Sequence, residues 1–185
     1  MASKHNKAAT RAFRDYAEWT PMTSIHKSKK DAVTASVLGV GGELNEYFDS
    51  LLDHHDERVE AEVVSNMQKE LGDVLYYMGL LGTHLGLTDR VTIRNRNRLD
   101  FSQQWHREVF RLQELYKKMI RDSDGFLYGF EKEEDFVETY RSILDYLYEE
   151  VQLNSWDWKG ILFDNQQKLL SRLERGKITG SGDNR

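Results

Sequence analysis

Apolar side chains recur along this chain at intervals of three and four, the spacing that turns one stripe of a helix toward a core. Ala9, Ala12, Phe13, Tyr16 and Ala17 predict a short amphipathic helix that runs to about Trp19 and is broken by Pro21. After a polar stretch, Thr20 to Lys30, a long helix is predicted from about Asp31 to Leu52 on Val33, Val37, Val40, Leu44, Tyr47 and Leu51, with Gly39, Gly41 and Gly42 inside it. These glycines lower helix propensity but let a neighbouring backbone approach. DHHDERVEAE reads as a loop or the first turn of the next helix. From about Val59 to Leu85 the set Val63, Met67, Leu71, Val74, Met78 and Leu81 predicts another long helix. Two long helices on a short connector make an antiparallel hairpin.

The second half has the same style. Helices are predicted over about Ser102 to Arg121 and Glu133 to Val151, with DSDGFLYGF as the loop between them. A last helix begins near NSWDW and ends near Arg175 and Gly176, and the Gly-rich, polar 177–185 reads as a tail. The organisation expected is an N-terminal helix and linker (1–30), then one all-α domain (31–176). That domain comprises a hairpin (31–87), an additional helical half (100–152) and a closing helix (156–176).

Composition narrows the class. A chain of 185 residues with 39% apolar and 31% charged residues and one Pro fits one soluble, mostly helical domain. The absence of Cys excludes disulfides and thiolate zinc sites, and is compatible with the cytoplasm. No apolar leader and no long apolar run argue for secretion or membrane insertion. A formal charge of −5 opposes general affinity for nucleic acid.

Chemistry enters with four acids. Glu70 and Asp73 in KELGDVLYY stand three apart on a stripe that should be burying itself, and Glu43 and Glu46 in GELNEYF repeat the spacing on the other helix of the hairpin. Either that face is wet, or something cationic sits against it. If the helices pack at about 8 to 10 Å with the pairs facing, the four carboxylates share one pocket. They then need a compensating cation or raised pKa values. Oxygen-only ligands favour Mg²⁺, with Mn²⁺ as the alternative, and Mg²⁺ is usually shared with substrate phosphates. No P-loop is present, since GVGGELNE lacks the Lys and the hydroxyl.

GGELNEYF followed by KELGDVLYY resembles the MazG-type family of all-α nucleoside triphosphate pyrophosphohydrolases, whose signature is ExxE, a helix-loop-helix spacer and ExxD. NQQKLLSRLERGKITGSGDNR at 165–185 is similar to the closing helix and end of MazG-like proteins. The resemblance covers roughly 32–87 and 160–185. It implies a four-helix-bundle-type core and a homo-oligomer, dimer or tetramer. It also implies Mg²⁺-dependent hydrolysis of a nucleoside triphosphate to the monophosphate and pyrophosphate, in a nucleotide-pool house-cleaning role. Glu43, Glu46, Glu70 and Asp73 inherit the metal and catalytic role, while Lys168 and Arg172, with Asn165 beside them, inherit phosphate contact. Gly42 stands where many members carry a further Glu. Alternatives are a dUTPase-like or alarmone hydrolase on the same scaffold, or a helical interaction module without activity.

The segment between the hairpin and the closing helix departs from compact relatives. RLQELYKKMI and SILDYLYEE echo the two acid motifs, with Glu114 and Asp145 retained and Arg111 and Ser142 where Glu43 and Glu70 stand. A degenerate second repeat and an unrelated insertion are both open. Trp105, Tyr116, Phe126, Tyr128, Phe130, Trp156 and Trp158 are core or base-stacking candidates. Arg90, Arg94, Arg96 and Arg98 would meet a triphosphate, an acidic surface or solvent alone. His84 suits a structural hydrogen bond, and His54 and His55 a solvated connector.

Overall fold

The computed structural model describes residues 3–52, 60–95 and 101–176. The 53–59 connector with His54 and His55, the cluster residues Arg96 and Arg98, and the 177–185 tail lie outside the described residues. Six α-helices follow one another: α1 (Lys4–Trp19), α2 (Lys29–Leu52), α3 (Glu60–Leu85), α4 (Phe101–Ser123), α5 (Glu133–Leu153) and α6 (Trp158–Glu174). A 3₁₀ turn, Thr20–Thr23, follows α1 where a plain polar stretch was expected. The described residues form no strand, and no helix among them is long and apolar enough to cross a membrane.

Local chemistry sets the boundaries. Ser3 caps α1 by accepting from the Asn6 amide, and Asp157 caps α6 by accepting from the Lys159 amide. Ser28 accepts from the Asp31 amide and donates to the Asp31 carboxylate, which closes the first turn of α2. α3 stops at Gly86, whose φ of 67° only glycine adopts cheaply, and the Leu87 amide turns back to the Gly82 carbonyl. The glycines of VLGVGGE leave α2 unbroken.

α2 and α3 make the most extensive helix pair and run antiparallel, with Gly39 opposite Tyr77 and Glu46 near Glu70. A Cβ on Gly39 would lie 2.6 Å from the Tyr77 ring, so this glycine sets how closely the helices approach one turn from Glu43. Gly39→Ala is therefore expected to destabilise the protein by about 1–3 kcal/mol through overpacking. Thermal unfolding should show it as about 2–4 °C per kcal/mol, and an unchanged Tm would mean the ring moves aside freely.

α4 and α5 form a second antiparallel pair, with Arg111 against Asp135 at 3.2 Å and Tyr146 donating to Gln104 at 2.5 Å. The Tyr47 ring meets Trp105 edge-on and its hydroxyl donates to Glu150, fastening α2 to both helices. One cluster of buried side chains runs from Ala9 in α1 to Leu162 in α6. Trp158 donates to the Ala9 carbonyl and Tyr16 to Asn165, seven residues further along each helix, so α1 and α6 run in the same direction.

The echo in the second half carries no second acid group among the described residues. Glu114 is on the surface beside Lys117 and Lys118, while Asp145 is fully buried and accepts from the Arg94 amide at 2.7 Å. Arg90 is no bare exposed cation: it pairs with Glu133 and Glu134 in the first turn of α5.

Candidate metal and phosphate site

Glu43 and Glu46 sit on one face of α2 because they are three residues apart, and Glu70 rises to meet them from α3. Each offers a carboxylate oxygen, and these atoms all lie within 4.8 Å of one another. Glu43 and Glu70 are half-buried and Glu46 is exposed, so the group is open on one side. Gly42 contributes to that opening, since nothing lies within 4 Å of where its Cβ would stand. The donor set fits a hard divalent cation. Oxygens sharing a Mg²⁺ at 2.0–2.1 Å lie up to about 4.2 Å apart, a separation small side-chain rotations would reach.

Asp73, one turn beyond Glu70, is held differently. Its Oδ1 accepts from the Asn165 amide at 2.6 Å and its Oδ2 from the Lys168 ammonium at 2.5 Å, both from α6. The Asn165 oxygen in turn accepts from the Tyr16 hydroxyl at 2.6 Å. α6 comes this close because residue 72 is glycine: a Cβ there would lie 3.0 Å from the Asn165 Cβ. Of the four acids expected to share a cation, three therefore converge directly, and the fourth faces Asn165 and Lys168, two of the three α6 residues expected at the substrate.

Electrostatics tie the two halves together. The Glu43 carboxyl is pushed up to about 8, first by burial, then by the negative charges of Asp73, Glu46 and Glu70, with Lys168 opposing. Burial, with Asp73 and Tyr76 adding, raises the Tyr16 phenol well above its ordinary value, so it remains a hydrogen-bond donor. The negative field at Glu43, which Lys168 offsets only in part, is what a divalent cation would relieve.

A cavity of about 350 Å³ adjoins this centre between α3 and α6, lined by Ser65, Gln68, Lys69, Ile161, Asp164, Asn165 and Lys168. Its size and polar lining suit part of a phosphorylated ligand. None of the aromatic candidates lines it: Trp105, Tyr116, Phe130 and Trp158 are core, while Phe126 and Tyr128 are exposed on the α4–α5 loop. A larger groove of about 700 Å³ between α1 and α6 carries none of the four acids. Arg172, one turn beyond Lys168, is only 4% exposed, so a phosphate reaches it only if neighbouring side chains move. His84 lies three turns past Asp73; the buried Nε2 has no hydrogen-bond partner among the described residues, and burial lowers the imidazole pKa, with Lys29 and His26 adding.

Tyr16, Gly72 and the cavity residues Ser65, Gln68 and Asp164 escaped the sequence reading. Tyr16 had a signal: it is the only member of the α1 apolar stripe with a polar tip, and buried Tyr hydroxyls usually find a partner. No protein-family model, curated protein or solved structure matches the chain.

Proposed function

We propose that this chain is a Mg²⁺-dependent nucleoside triphosphate pyrophosphohydrolase of the MazG-like kind, converting a (d)NTP and water to the (d)NMP and pyrophosphate. The observation that carries the reading is the convergence of Glu43, Glu46 and Glu70 from two antiparallel helices, beside Asp73 and its lysine. Such a cluster next to a basic, cavity-lining side chain suits a polyphosphate shared between protein and cation.

Glu43, Glu46, Glu70 and Asp73 would hold the cation, with Mn²⁺ able to replace Mg²⁺. When bound, the cation supplies charge neutralisation on phosphate oxygens and lowers the pKa of bound water. Water oxygen bonds to the α-phosphorus and gives up a proton to solvent as the bond from that phosphorus to the α–β bridging oxygen breaks, and pyrophosphate leaves carrying that oxygen. The side chains position this exchange. Glu43 holds a proton at neutral pH until a cation displaces it. Lys168 meets the phosphates from α6 with Asn165 beside it, Arg172 reaching them if its surroundings open. The α3–α6 cavity takes the portion of substrate next to Lys168. Dimers or tetramers and a house-cleaning role on the nucleotide pool belong to the same reading.

The test is pyrophosphate release from a panel of dNTPs, with dUTP and a guanosine tetraphosphate included, at zero and saturating Mg²⁺. Cation-dependent turnover of a triphosphate is expected. No turnover of any nucleotide, with no change in Tm on adding Mg²⁺ and nucleotide, would favour a helical interaction module instead.

A further inference from the structure

Asp73 is the member of the acid set whose two oxygens are both occupied by α6, and a cation can use it only if one of them is released. The two donors differ in their freedom to leave. Lys168 ends in a flexible stem and lines the α3–α6 cavity, so its ammonium has another place to go. Asn165 is 4% exposed, sits against Gly72, and is held from behind by Tyr16.

A primary amide has one acceptor end and one donor end, so the same Asn165 side chain, flipped, would present oxygen to the Asp73 carboxylate and repel it. The acceptor-only Asp73 carboxylate selects the NH₂ end, at 2.6 Å from Oδ1, and the Tyr16 hydroxyl, donating at 2.6 Å to Asn165 Oδ1, satisfies the other end and holds the amide in that place. Tyr16 is 5% exposed, so water does not readily substitute for the missing group if the hydroxyl is removed.

We propose that Tyr16 is a positioning residue of this site: through Asn165 it keeps a fixed donor on Asp73 Oδ1, so that when Lys168 moves from Oδ2 to a substrate phosphate, Oδ2 is already aimed for the cation. The inference rests on the functional reading above and adds to it the part played by α1. Because α1 and α6 run in the same direction and are joined at Ala9–Trp158 and Tyr16–Asn165, the docking of α1 is felt at Asp73. The lysine exchange links the arrival of phosphate to the completion of the acid set.

Tyr16→Phe tests this, since it retains the ring and its packing and removes only the hydroxyl. Mn²⁺ binding to the full-length protein with a non-hydrolysable nucleoside triphosphate present to draw Lys168 off Oδ2, followed by electron paramagnetic resonance, should weaken by about tenfold, the lower range for loss of an outer-shell partner. Asn165→Ala should weaken it comparably, and adding Tyr16→Phe to Asn165→Ala should cost nothing further, because the hydroxyl acts only through the amide. A merely structural role for Tyr16 would lower Tm and add its effect in both backgrounds. Unchanged Mn²⁺ affinity in Tyr16→Phe, beside normal binding by the unaltered protein, overturns the inference alone. Failure of the unaltered protein to bind Mn²⁺ overturns the functional reading and this inference with it.

Discussion

Glu70→Gln is expected to reduce pyrophosphate release by roughly a thousandfold, about 4 kcal/mol of lost transition-state stabilisation, while leaving the fold intact. Glu70 is the acid through which α3 joins the pair on α2, so its loss dismantles the group rather than trimming its edge. Structural damage is separable from functional loss. Glu70 is one of the charges that push the Glu43 carboxyl up, so neutralising it should bring that carboxyl back toward its ordinary range, and an unchanged far-ultraviolet circular dichroism spectrum reports the intact fold. Saturating Mg²⁺ should raise the Tm of the unaltered protein by about 5–10 °C, from about 2.7 kcal/mol at a hundredfold excess over Kd. That shift should vanish in Glu70→Gln. A variant that keeps both turnover and the Mg²⁺ shift would remove Glu70 from the ligand set.

The helices and the acid cluster were legible in the sequence for one reason: both depend on residues close in the chain. Helical spacing gave the six helices with ends displaced by few residues, because caps and breakers such as Pro21 and Gly86 act locally. The spacing of Glu43 with Glu46 and Glu70 with Asp73 named the acid face, and the antiparallel hairpin needs only a short connector to bring Glu70 against Glu43 and Glu46. What escaped depends on how remote elements dock. Nothing in the neighbourhood of Tyr16 announces that its hydroxyl reaches Asn165, or that Gly72 admits α6 closely enough for Lys168 to hold Asp73. Arg90 illustrates the same limit. In RVTIRNRNR it reads as part of a cationic cluster, and only the docking of α5 gives it Glu133 and Glu134.

The second large effect is a pH dependence opposite in sign to ordinary acid denaturation. Glu43 titrates near 4.5 when unfolded and is pushed up to about 8 in the fold, by burial first and then by Asp73, Glu46 and Glu70. Between those values the folded protein holds a proton that the unfolded chain has released. The Glu43 contribution to metal-free stability is therefore fully present below about pH 4.5 and is lost as pH rises through 8, by on the order of 2 kcal/mol once solvent screening of this half-buried group is counted. A cation reverses the trend, because it takes the place of the proton. Apparent Mg²⁺ affinity should rise by about tenfold per pH unit up to about pH 8 and then level. Thermal unfolding across pH 5 to 9, with and without saturating Mg²⁺, reads both limbs. Titrations at pH 7 in buffers of different ionisation enthalpy should register close to one proton released per cation bound. Glu43→Gln should flatten the metal-free limb and abolish the proton release. A stability difference between the unaltered protein and Glu43→Gln that does not change with pH across that window would mean that Glu43 is already ionised in the metal-free fold, and that no proton is exchanged for the cation.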